Sequence, residues 1–217
     1  YQHLMVYWGD TMQDDVYAVA AEGWQVAKTL RILVKQGKKY TEDHDFELNR
    51  KRYKADVIPI GLVIARYFAD EQRALEALEA QLETATTAMQ ELDEEHGGED
   101  GLLAEARSDA GNVTKTALKA RLKEIKDSED DAEEIVVLEQ YQGLMDRESD
   151  LKSSIKAAQE KLYADLIEKY PTLSEDEVKV LVVEDKWLAQ IAADIESELD
   201  RVSAALAGRI KQLAERY

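Results

Sequence analysis

The chain is 217 residues long, enough for one or two domains with a real core. Charged residues make up 34%, aromatics 7%, and there are two prolines, a composition suited to long helices. With 28 Lys and Arg against 46 Asp and Glu the formal charge is -18, which repels a duplex and argues against direct phosphate gripping. The basic runs, Lys38 and Lys39 and then Arg50, Lys51, Arg52 and Lys54, are short and interrupted by acids. No cysteine is present, so disulfides and thiolate metal sites are excluded and a reducing cytoplasm is the expected setting. No apolar run approaches the ~18 residues of a membrane span. No signal peptide is visible, and a start at Tyr1 rather than Met reads as a piece of a longer protein.

The first 58 residues stand apart, with Tyr7, Trp8, Tyr17, Trp24, Tyr40, Phe46 and Tyr53 among their aromatics. Residues 16–21 are β-branched, aromatic or small, and residues 46–48 and 53–58 alternate apolar and polar as half-buried strands do. Residues 30–34 are apolar and fit strand or helix. A small mixed α/β region is expected here.

Pro59 then opens a helix, since its missing N–H would have no partner in a first turn. The helix is predicted to run to about Leu92 with Ile64, Phe68, Leu75, Leu78, Leu82, Ala85, Met89 and Leu92 along one stripe. Glu71 is its one polar interruption, and the alternating steps of four and three make a heptad seam. His96, Gly97, Gly98 and Gly101 end it. A short helix over residues 113–126 follows, capped by Asn112 or Thr114.

A second long helix is predicted from about Asp130 to Lys169, with Val137, Tyr141, Leu144, Leu151, Ile155, Ala158 and Leu162 in its seam and Glu148 as the polar exception. Two such helices should fold back as an antiparallel coiled-coil hairpin, each covering the other's stripe. Pro171 breaks the second helix, and Ser174 with Glu177 forms a capping box for a short helix to Val183. The last helix is expected from near Asp185 to the end, with Trp187, Leu188, Ile191, Ile195, Leu199, Val202, Leu206, Ile210 and Leu213 as its stripe. The expected fold is mainly α: the hairpin plus C-terminal helices, with the small mixed region in front. Its segments are 1–58, continuing from a missing upstream domain, 59–169, the hairpin with an inserted short helix, and 170–217, the C-terminal helices.

Catalytic motifs are absent. No Gly-x-Gly occurs, so neither a dinucleotide loop nor a glycine-rich adenosylmethionine loop is present. Pro59 and Pro171 are the only prolines, which excludes an Asn-Pro-Pro-aromatic run, and no P-loop or Gly-x-Ser-x-Gly elbow occurs. His3, His44 and His96 are isolated, and the run Glu42, Asp43, His44, Asp45 reads as a solvated loop because adjacent residues do not converge on one ion. The acid cluster at 127–134 reads as a helix start favoured by the dipole. No catalytic, cofactor-binding or metal residue is assigned. The last stripe has no partner of equal length in the chain, so the candidate interface is Trp187, Ile195, Leu199, Val202, Leu206, Ile210 and Leu213, with Trp187 as aromatic anchor.

Four segments carry a resemblance: MQDDVYAVAAEGW (12–24), PIGLVIARYFADEQRALEALEAQLE (59–83), EKYPTLSEDEVKVLVVEDKWL (168–188) and ELDRVSAALAGRIKQLAERY (198–217). In that order they are similar to the C-terminal part of modification (M) subunits of type I restriction-modification systems. The resemblance implies a parent adenine-specific DNA methyltransferase, which transfers a methyl group from S-adenosylmethionine to adenine N6. It also implies a specificity (S) subunit that reads DNA and a restriction (R) subunit that cuts it, with the last helices of the M subunits packed on the S subunit. The family's catalytic motifs lie upstream of this part, so none of their residues carries over. This piece is then no enzyme and holds no cofactor, and it meets DNA only through the complex. The alternative expectation is a stand-alone coiled-coil adaptor or dimerisation module.

Overall fold

The computed structural model describes residues 2–35, 40, 42–98, 101–108, 111–126, 128 and 131–216. Lys38, Lys39, Asp127, Glu129 and the helix start expected at Asp130 lie outside them. The chain is mainly α with a small N-terminal α/β region. Two compact units divide it: Tyr1–Ala69 with Leu162–Tyr217, and Asp70–Lys161. These units cut the chain differently from the segments 1–58, 59–169 and 170–217, because the first and last of those share one hydrophobic core.

The first unit begins with α1 (Gln2–Tyr7), a π-helical turn (Trp8–Met12) and α2 (Gln13–Glu22). Residues 16–21 thus lie in a helix, whose first turn carries Asp14 and Asp15 at the positive end of its dipole. Gly23, at φ 74°, ends it in a conformation that glycine adopts without strain. A 3₁₀ turn (Trp24–Lys28) leads to β1 (Leu30–Leu33), which settles the ambiguous run as strand, and β2 (Phe46–Leu48) and β3 (Lys51–Ala55) follow. The sheet is antiparallel in the order β1-β3-β2. Asn49 (φ 52°) and Arg50 (φ 62°) make the two-residue β2–β3 turn, whose positive φ values match the strand twist. Phe46 pairs with Tyr53, and their rings stack with centroids 5.0 Å apart. The ring of Tyr163, from α6 (Ala132–Lys169), stacks on Phe46 at 4.7 Å.

Pro59 caps α3 (Ile60–Tyr67), and Phe68 then leaves helical geometry (φ −131°, ψ 29°) before α4 (Ala69–His96) starts. The single helix expected from Pro59 to Leu92 is therefore two. Phe68 packs on the first unit's core, and this tertiary demand overrides an otherwise favourable helical run. Ile58, Val63, Leu166, Tyr170, Leu181 and Val182 are at the centre of that core. Burying each contributes about 1.5–3 kcal/mol. The Tyr170 hydroxyl, sealed inside, donates to the Ile58 carbonyl at 2.7 Å, so this buried hydroxyl is satisfied.

In the second unit, Leu75, Ala85 and Leu92 are the buried residues of α4. Leu78, Leu82 and Met89 between them are half-buried. On α6 the expected seam positions, from Val137 to Ile155, are buried or half-buried, Glu148 included. The Arg147 guanidinium reaches Gln81 at 3.5 Å. Burial and then the charge of Asp93 raise the Tyr141 phenol. α5 (Lys115–Ile125), capped by the Thr114 hydroxyl, adds Leu118 and Ile125 to a small core with Leu103, Ala106, Val137 and Leu138. Arg121 grips the buried Glu134 in a fork, Nε to Oε1 at 2.7 Å and Nη2 to Oε2 at 3.0 Å.

Candidate interaction surface

The C-terminal helix is built as a root and a free run. The root opens at α7 (Glu175–Lys179), where the Ser174 hydroxyl accepts from the Glu177 N–H at 3.2 Å and the Glu177 carboxylate accepts from the Ser174 N–H at 2.7 Å. Hydrogen bonds to its carboxylate from the Ser174 N–H, the Ser174 side chain and the Tyr67 hydroxyl hold the Glu177 carboxyl down at about 2. Burial, then that same hydrogen bond, pushes the Tyr67 phenol up to about 12. A π-helical stretch (Val180–Leu188) continues the root into α8 (Ala189–Ala214) without a break.

Val178, Leu181, Val182 and Trp187 bury the root in the first unit's core. A polar clasp fastens it. The Asp15 carboxylate, 5% exposed, accepts from Lys186 Nζ at 2.6 Å and from Trp187 Nε1 at 2.9 Å. Lys186 also donates to the Val57 carbonyl at 2.6 Å, and the Tyr7 hydroxyl donates to the Trp187 carbonyl. Arg66 pairs with Asp185 beside it.

Trp187 is therefore a core residue, 9% exposed, and not the surface anchor expected of it. It belongs to the root, packed in the first unit's core, and not to the exposed run that begins at Ile195. The rest of the expected interface is on the surface: Ile195, Leu199, Val202, Leu206 and Ile210 are each more than half exposed, and Leu213 is 43% exposed. No residue of α8 is buried. Large aliphatic side chains thus run along one solvated helix.

The buried acid that sequence reading misses is Asp15. Neighbouring Gln13 and Asp14 make it look like one more polar residue of a solvated helix start, so no local signal marks it. Lys186 and the indole N–H occupy its carboxylate. His44 is exposed, and its neighbour Glu42 is engaged by Arg31 and then Lys54, which lower its carboxyl to about 2. Among the described residues no three His, Asp or Glu side chains gather to hold a metal ion, and no helix is long and apolar enough to cross a membrane. Set against protein-family models, curated proteins and solved structures, the chain matches none of them.

Proposed function

We propose that this chain is the C-terminal assembly region of the modification subunit of a type I restriction-modification system, working in the cytoplasm and docking an adenine-specific DNA methyltransferase on its specificity subunit. The observation that carries the docking role is the apolar face of α8, exposed from Ile195 to Leu213 on a helix whose root is packed and clasped. Burying five or six such side chains contributes several kcal/mol to association, and a clasped root spares part of the ordering cost. The family assignment rests on the likeness of residues 12–24, 59–83, 168–188 and 198–217. In this reading α4 and α6 form a coiled-coil stalk, the restriction subunit joins the same complex, and the S-adenosylmethionine site belongs to the parent enzyme upstream. DNA meets this acidic region only through the assembly.

The test is capture by the cognate specificity subunit, comparing the wild type with Leu199→Asp plus Leu206→Asp. Capture is expected to fall at least tenfold while the circular dichroism spectrum is unchanged, because both positions are solvent-exposed. Equal capture of a folded double variant would defeat the proposed surface.

A further inference from the structure

The charges of α8 are sorted along its length. Residues 189–200 carry only acids, Asp194, Glu196, Glu198 and Asp200, whereas residues 202–214 carry only bases, Arg209 and Lys211. Arg201, between them, is tied to Glu198 of its own helix. Four of the six apolar positions also have a symmetry, Leu199 and Ile210 falling opposite Arg209 and Glu198. Ile195 and Val202 stand as far before residue 204 as Leu213 and Leu206 stand after it, and small residues, Ser203, Ala204 and Ala205, fill the middle.

We propose that α8 pairs antiparallel with α8 of a second copy of this chain, about a two-fold axis at Ala204. In this register Ile195 of each copy meets Leu213 of the other, and Val202 meets Leu206, so four apolar layers form from one repeated pattern. Leu199 meets Arg209, whose stem covers the leucine while its guanidinium lies among Glu196, Glu198 and Asp200 of the other copy. The acidic half of each helix then lies along the basic half of its mate. A parallel pair would set Arg209 on Arg209 and acids on acids, which costs stability. Ser203 and Ala205 flank the central layers and let the helices approach closely. This pairing goes beyond the docking reading and does not require it. It is the state of the free chain, and a heterologous partner for the same face has to displace it.

Sedimentation equilibrium and cysteine cross-linking test the pairing, the second made clean by the absence of native cysteines. The expected mass is concentration-dependent and rises toward twice the 24.6 kDa of one chain. Ile195→Cys chains mixed with Leu213→Cys chains should form a mixed disulfide under mild oxidant, and neither variant should cross-link to itself, because like positions lie far beyond disulfide reach. Leu199→Asp plus Leu206→Asp should be monomeric with an unchanged circular dichroism spectrum. A wild type that is monomeric at all concentrations, a Leu213→Cys homodimer, or a double variant that still dimerises would each overturn the proposal. Capture by the specificity subunit without self-association would sink the pairing and leave the docking reading standing; a dimer without capture would do the reverse.

Discussion

Leu151, Ile155 and Leu162 on α6 and Leu199, Leu206 and Leu213 on α8 are spaced by similar steps, and both helices mix these leucines and isoleucines with Glu, Lys and Ala. On α6 the three positions are buried. On α8 they stand in solvent. The difference does not lie in the repeats but in what else the chain supplies. These positions of α6 are covered within the chain, whereas nothing among the described residues covers the face of α8. An amphipathic repeat thus does not say by itself whether its face is covered within the chain.

The largest effect should separate the two helices by stability. Leu166→Ala, at a fully buried site of α6, is expected to cost about 2–5 kcal/mol in urea unfolding through lost burial and a cavity. Leu206→Ala on α8 should cost within about 0.5 kcal/mol in dilute monomer. Comparable losses at both sites would mean that α8 is covered by its own chain. The clasp comes next. Asp15→Ala strips the partner from Lys186 and from the Trp187 indole and should cost about 2–3 kcal/mol, discounted because Lys186 keeps the Val57 carbonyl and some water. It should also raise hydrogen exchange in residues 180–188 more than in α6.

The smallest effect concerns acid. The folded Glu177 carboxyl sits at about 2, below its ordinary value of 4.5, so its contribution is complete above 4.5 and fades as pH falls from 4.5 toward 2. Glu177→Gln keeps a cap-forming side chain but cannot titrate. Its melting temperature should therefore fall less steeply than the wild type across that window. Parallel curves would show that the cap at the root of α8 is not what titrates.

Local signals in the sequence locate most elements. Thr114, and Ser174 with Glu177, cap the helices expected of them, since a cap depends on residues within one turn. Phe46 and Leu48 alternate around a two-residue turn, and a strand stands there. Non-local demands are illegible. Phe68 interrupts a favourable helical run to reach the core. Residues 16–21, with strand-like side chains, form helix because they continue from an acid-rich first turn. Trp187 is buried although it seems to open the exposed stripe, because its surroundings are set by Asp15, far away in sequence. Of the candidate surface, the six residues from Ile195 to Leu213 are legible, since nothing tertiary intervenes there.

The Asp15 clasp has a temporal consequence. Its two bonds join positions 171 and 172 residues apart, so making them closes a loop of most of the chain. Such a closure is entropically late, after the local helices and the β2–β3 hairpin are formed. Until then the root of α8 has neither its buried carboxylate nor its full core, and the apolar run beyond it is carried on an unanchored end. The last helix is thus rooted through a contact with the first elements of the chain.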